Sequence, residues 1–241
     1  MSVATAKTVR ELAVENATAT RVFEKLGIDY CCGGDKSLEE ACAAAHVPLD
    51  EVFRALENAE KAAQAPAAQR NWQSELLADL VDHIISTHHQ YTREELARLE
   101  PLLEKVCSVH GKNHAELLHI RGVFRGLSQE LTMHMMKEEM VLFPYIKRME
   151  EAVLQREPVL PGPFGTVQNP VRMMEQEHES AGEALRAMRE ASGGYTAPED
   201  GCVSYQTLYK ALAAFEADLH QHIHLENNIL FPRALEMESR A

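Results

Sequence analysis

The chain is 241 residues long, 45% hydrophobic and acidic, with a formal net charge of −13. A nucleic-acid or anionic-membrane partner needs a basic face, and none is written here; a basic-then-apolar leader and a run of ~18 apolar residues are missing too, so a cytoplasmic protein is expected. Gly numbers only 12, and long stretches favour Ala, Leu, Glu, Met and Lys, which points to a mostly helical protein of two units.

Residues 8–63 read as several short helices. Thr8-Val9-Arg10-Glu11 and Ser37-Leu38-Glu39-Glu40 each place a Glu three positions after a hydroxyl, the reciprocal cap of a helix start. Gly27 follows RVFEKL where a glycine closes a helix, and GIDYCCGGDKS forms the loop between the second and third helices. AAQAPAAQRN, small and polar around Pro66, reads as a linker. The expected domains are therefore 1–64, a small helical unit with a Cys-Cys loop, and 72–241. The five cysteines, Cys31, Cys32, Cys42, Cys107 and Cys202, are odd in number and scattered, unlike a disulfide framework, and only the adjacent pair looks purposeful.

Beyond Trp72 come long amphipathic segments at about 74–107, 114–149, 169–192 and 203–238. The connector EPVLPGPFGTVQNP, with four prolines and two glycines, cannot be helical throughout. The expected fold class is all-α: the small N-terminal unit followed by an up-down four-helix bundle.

HMMKEEMVLFP, from His134 to Pro144, recurs as HIHLENNILFP, from His222 to Pro232, on the second and fourth segments. In each copy a Glu stands four residues after a His, so His134 pairs with Glu138 and His222 with Glu226 on one helix face. Both pairs interrupt apolar stripes: Leu127, Leu131, Val141 or Leu142, and Tyr145 on one helix, and Leu212, Phe215, Leu219 and Ile229 on the other. Burying such pairs is costly, and metal coordination offsets the cost. On the third segment His178 continues the stripe of Met174, Ala181, Leu185 and Met188. The first offers His88 and His89; His89 aligns with Val81, Ile85, Thr92, Leu96, Leu99 and Leu103, whereas His88 leads to Glu95 and Arg98, so His89 is chosen.

Shared between two ions, these side chains supply two imidazoles to each ion and two bridging carboxylates. One bridging oxide or hydroxide makes five positions, and an octahedral ion keeps a sixth for an outside ligand. The set suits iron better than calcium or magnesium, with manganese and zinc as alternatives. Glu130, a turn before His134, and Glu177, beside His178, are candidates for steering a guest or carrying protons, and equally for plain solvated charges. His83, His88, His110, His114, His119, His220 and His224 read as surface or supporting residues. Pro144 and Pro232 are expected to bend or end their helices.

The pattern of His89, HMMKE, His178, HIHLE and ENNILFPRAL resembles a hemerythrin-like di-iron domain. FEKLGIDYCCGG resembles the short ScdA-like domain that precedes such a bundle in the iron–sulfur cluster repair di-iron proteins, the repair of iron centres family. Together the two likenesses cover nearly the whole chain. They imply a cytoplasmic protein of bacterial type, induced under nitrosative or oxidative stress, that helps to restore damaged clusters in iron–sulfur proteins. They also imply two non-haem irons, oxo- or hydroxo-bridged, on His89, His134, Glu138, His178, His222 and Glu226, with Glu138 and Glu226 as bridges. The extra histidines beside the ligands, His88 and His224, depart from the pattern.

Adjacent cysteines do not readily close an ordinary disulfide. Cys31 and Cys32 are thus candidates for iron or NO transfer, favoured as thiolates by the helix start at Ser37, against the plainer reading of inert thiols in a small-residue loop. Two functions compete. One is repair, by iron delivery or by binding NO at the di-iron site and reducing it to N2O, an NO reductase activity. The other is a hemerythrin-like module that binds or senses O2 or NO, which leaves Cys31 and Cys32 idle. A ferritin-like oxidase ranks below both, because Glu-x-x-His signatures are missing. Neither nucleic acid nor membrane is expected as a partner, and a homodimer is left open.

Overall fold

The computed structural model describes residues 7–15, 17–30, 34–62 and 70–240, so Cys31, Cys32 and most of the linker around Pro66 lie outside the described residues. Among those described, the fold is all-α, and β pairing is confined to isolated bridges, Thr8 with Ser37 and Gly162 with Gly165. Two compact units emerge: Met1–Leu76 with His220–Arg233, and Leu77–Leu219 with Ala234–Ala241.

The first unit contains α1 (Val9–Glu15), α2 (Ala17–Leu26), α3 (Leu38–Ala44) and α4 (Leu49–Ala62). Both expected capping boxes form. Thr8 N–H donates to Glu11 Oε2 at 2.8 Å while Glu11 N–H donates back to Thr8 Oγ1 at 3.1 Å; Ser37 and Glu40 repeat the exchange at 3.0 and 3.2 Å. Gly27, at φ +66°, closes α2 with Ile28 N–H donating to the Phe23 carbonyl at 2.9 Å, a left-handed turn that costs glycine no Cβ clash. Val9, Phe23, Ile28, Tyr30, Leu38 and Val52 are buried together as the core of the four helices.

His220–Arg233 belongs to this unit through specific contacts. The Tyr30 ring stands edge-on to His224 at 5.5 Å, its hydroxyl accepts from Gln221 Nε2 at 2.6 Å, and its carbonyl accepts from Asn228 Nδ2 at 3.1 Å. His220 Nδ1 lies 3.0 Å from Glu24. Arg233 donates to the carbonyls of Trp72 and Glu75 at 2.5 and 2.7 Å.

The long helical runs are α5 (Leu77–His83) with α6 (Gln90–His110), α7 (Glu116–Lys137) with α8 (Phe143–Gln155), α9 (Gln168–Ala191), and α10 (Val203–Leu225) with α11 (Phe231–Arg240). They make the expected four-helix bundle, in which α7 packs against both α6 and α9, and α5 packs against α8. Apolar stripes meet inside it, with Phe124 and Phe215 edge to face at 6.2 Å. Remote carboxylates cap two helix starts. Glu150 on α8 accepts from Leu77 N–H and Ala78 N–H at 2.7 and 2.8 Å, and Glu238 on α11 accepts from Val167 N–H at 2.9 Å. Each meets amide donors that a helix start leaves open, with charge of the sign the helix dipole favours.

Each paired run is joined by a π-helical segment: Ile84–His89, Glu138–Leu142 and Glu226–Leu230. These segments answer the proline expectation differently. Pro144 and Pro232 do not end their helices; each is the second residue of the α-helix that resumes after a widened turn. There Phe143 N–H already reaches back to the Glu138 carbonyl, and Phe231 N–H to that of Glu226. The missing proline N–H falls where the ordinary ladder is interrupted.

Candidate metal centre

All three π segments fall on the candidate ligands. His89 ends the first, Glu138 begins the second and Glu226 begins the third, while His134 and His222 stand one turn before the two acids. A π turn places one more residue in the same rotation, so neighbouring side chains share an inward face; such segments recur at functional sites. His178 sits on unbroken α9.

The six side chains are buried, none more than 2% exposed. They form two overlapping groups, His89, Glu138, His222 and Glu226 in one, His134, Glu138, His178 and Glu226 in the other, with the offered ligand atoms of each group within 4.8 Å of one another. Glu138 and Glu226 belong to both groups. Glu138 Oε2 lies 3.4 Å from His89 Nε2 and 3.3 Å from His134 Nε2, and His222 Nε2 lies 3.0 Å from Glu226 Oε1. His134 and His178 bring their Nε2 atoms to 3.0 Å, a meeting of basic nitrogens that a cation relieves. Four imidazoles and two carboxylates form a nitrogen and oxygen donor set that fits iron, manganese or zinc.

Outer carboxylates set the ring orientation. His89 Nδ1 donates to Glu139 Oε1 at 2.7 Å and His134 Nδ1 to Glu177 Oε2 at 2.8 Å. A ring that gives its Nδ1 proton to a carboxylate keeps a lone pair on Nε2, the atom turned toward the shared acids. Burial works against charge on Glu139, but Arg93 and then His89 hold its carboxyl below the ordinary range. Glu177 is held low in the same way, by Lys137 and then His134. Phe143 stacks on His89 at 5.6 Å and an interplanar angle of 19°, which fixes the ring plane.

The structure brings Glu177 against His134, whereas Glu130 is exposed and accepts from Ser180 Oγ at 3.2 Å. Glu139, Arg93, Lys137 and Phe143 were not among the sequence candidates. The acid doublet at 138–139 was the available signal, since a widened turn turns the second acid toward a neighbouring helix. His88 and His224 are buried too: His88 Nδ1 lies 3.1 Å from Asp218 Oδ1, and His224 Nδ1 lies 2.8 Å from Asn228 Nδ2.

Residues 80–234 match the family model described as the hemerythrin HHE cation binding domain, and residues 5–60 match that of ScdA_N, a domain of unknown function. The chain is 36% identical over 225 residues to a probable iron–sulfur cluster repair protein of Haemophilus influenzae, covering 93% of this chain and 95% of that one. It is 37% identical over 229 residues to the iron–sulfur cluster repair protein YtfE of Pectobacterium carotovorum, covering 95% and 96%. With the protein of that name from Escherichia coli O81 it shares 36% identity, covering 93% and 94%.

Proposed function

Because this chain belongs to the iron–sulfur cluster repair protein family and carries a hemerythrin HHE cation binding domain, we propose that it holds two non-haem irons and restores iron–sulfur clusters damaged by oxidative or nitrosative stress. The observation that carries this reading is the pair of overlapping donor groups, in which Glu138 and Glu226 are common to both. In this reading His89 and His222 would hold one iron and His134 and His178 the other, with Glu138 and Glu226 shared between the two. The irons, when bound, supply open positions for a small guest such as NO or O2 and one-electron exchange with it.

The surrounding residues do the positioning. Glu139 and Glu177 hold the Nδ1 protons of His89 and His134, and so keep Nε2 available as a ligand. Near-complete burial of the six side chains limits water at the site, which strengthens each charge interaction there. The domain division at 1–64 and 72–241, the cytoplasmic location and the transfer role of Cys31 and Cys32 belong to the same proposal.

The test is cluster restoration. An iron–sulfur enzyme inactivated by NO is incubated with the iron-loaded chain, and its activity and cluster absorption are followed alongside N2O release. Recovery with the parent and none with Glu138→Ala or Glu226→Ala supports repair at this site. No recovery with the iron-loaded parent contradicts the repair reading, and N2O release without recovery assigns the centre to NO reduction.

A further inference from the structure

A second group of reactive side chains lies where α6 ends and α10 begins, outside the metal centre. Cys202 immediately precedes α10, its side chain is exposed, and its Sγ stands 3.2 Å from His110 Nε2 at the end of α6. His110 is held edge-on by Tyr205 at 5.4 Å and by His114 at 6.2 Å. His114 does not compete for the sulfur, because Glu116 engages its Nδ1 at 3.1 Å and Asp200 its Nε2 at 3.0 Å. Tyr205 in turn donates its hydroxyl to Glu116 at 3.1 Å. The thiol therefore faces one oriented imidazole across a route open to solvent.

From this geometry we infer that Cys202 is a modification site for small disulfides, with His110 as the group that takes and returns the proton. The Sγ–H proton passes to His110 Nε2, and the thiolate attacks one sulfur of the incoming disulfide. As the Sγ–S bond forms, the S–S bond breaks; the leaving thiolate takes the proton from His110 and departs as a free thiol. Cys202 is oxidised to a mixed disulfide, one half of the incoming disulfide is reduced, and no further oxidant is needed.

The surroundings support a thiolate. The Tyr205 amide at the helix start and then the His110 ring draw the Cys202 thiol down to about 7. The other described cysteines differ: Cys42 and Cys107 are buried, and burial pushes both thiols up. Of these two described cysteines neither is exposed to resolve the adduct.

The test uses the reduced full-length chain and cystamine, with acid quenching and peptide mass mapping, so that Cys202 is scored separately from the other cysteines. At pH 7 the Cys202 peptide gains one cysteamine well ahead of the Cys42 and Cys107 peptides. His110→Gln slows that gain at pH 7 by no more than about three-fold, the net of a roughly 16-fold smaller thiolate fraction and a roughly five-fold gain in intrinsic nucleophilicity that full loss of the shift would give, because the Tyr205 amide keeps its share of the lowering. At pH 9.5, where the thiol is ionised with or without the imidazole, the variant equals or exceeds the parent. Labelling of Cys202 no faster than the buried cysteines, an unchanged rate for His110→Gln at pH 7, or equal slowing at both pH values would overturn the inference.

Discussion

Glu139→Ala isolates the support of His89, one of the proposed ligands, without touching the donor set. Glu139 Oε1 accepts from His89 Nδ1 at 2.7 Å and from Arg93 Nη2 at 2.5 Å, and the His89 side chain is fully buried while that of Glu139 is 26% exposed. A hydrogen bond to a charged group contributes about 1.5–3 kcal/mol, and partial exposure places this one toward the lower end. Loss of an outer carboxylate beneath a ligating histidine typically weakens metal binding 10- to 100-fold, which is about 1.4–2.7 kcal/mol. The expectation for Glu139→Ala is thus a 10- to 30-fold loss of iron affinity at roughly unchanged helicity. Glu139→Gln, which keeps an acceptor oxygen, should lose less. Titration of the iron-loaded chain with a ferrous chelator, with far-ultraviolet circular dichroism as the fold control, reads both. An Ala variant that surrenders iron at the same chelator concentration as the parent would refute the orienting role of Glu139.

Three further outcomes are expected. Gly34→Ala sets a Cβ 3.0 Å from the Tyr30 carbonyl oxygen and 3.1 Å from Arg10 Cβ, so it should cost about 1–3 kcal/mol and lower the melting temperature by several degrees in calorimetry. Ser37→Ala removes the hydroxyl that caps α3 and should lower the melting temperature by roughly 2–4 °C; by NMR the Glu40 carboxyl should rise only part of the way toward its ordinary value, because the Ser37 N–H, the larger cause of its lowering, remains after the hydroxyl is gone. The Asp200 and Glu116 carboxylates raise the His114 value above that of free imidazole, so the folded state binds the proton more tightly than the unfolded chain. Any stabilisation from this ion pair is present at acidic pH and lost as pH rises through that raised value, and Asp200→Asn should move the His114 NMR titration midpoint downward.

Much of this architecture can be read from residue order. The capping boxes at Thr8 and Ser37 act over three residues, so local chemistry alone predicts them. His134, His178 and His222 lie in stripes of 3.6-residue period on α7, α9 and α10, and Glu138 and Glu226 follow one turn after His134 and His222, at the first residue of a π segment in each case, before the period is lost. The period fails where π turns intervene. It forces a choice between His88 and His89, whereas the widened turn buries both; it leaves Val141 or Leu142 open, and the structure buries Leu142 and leaves Val141 42% exposed. Contacts such as His89 with Glu139, 50 positions apart, or Tyr30 with His224 come from tertiary packing, which no local spacing encodes.

Two irons that shared Glu138 and Glu226, as proposed, would be magnetically coupled, and Mössbauer spectroscopy with iron quantitation on the purified full-length chain tests that pairing most directly. The expected result is two irons per chain giving the spectrum of an exchange-coupled pair, with loss of that spectrum in Glu138→Ala and in Glu226→Ala. A single uncoupled iron, or a coupled pair that survives either substitution, would contradict it.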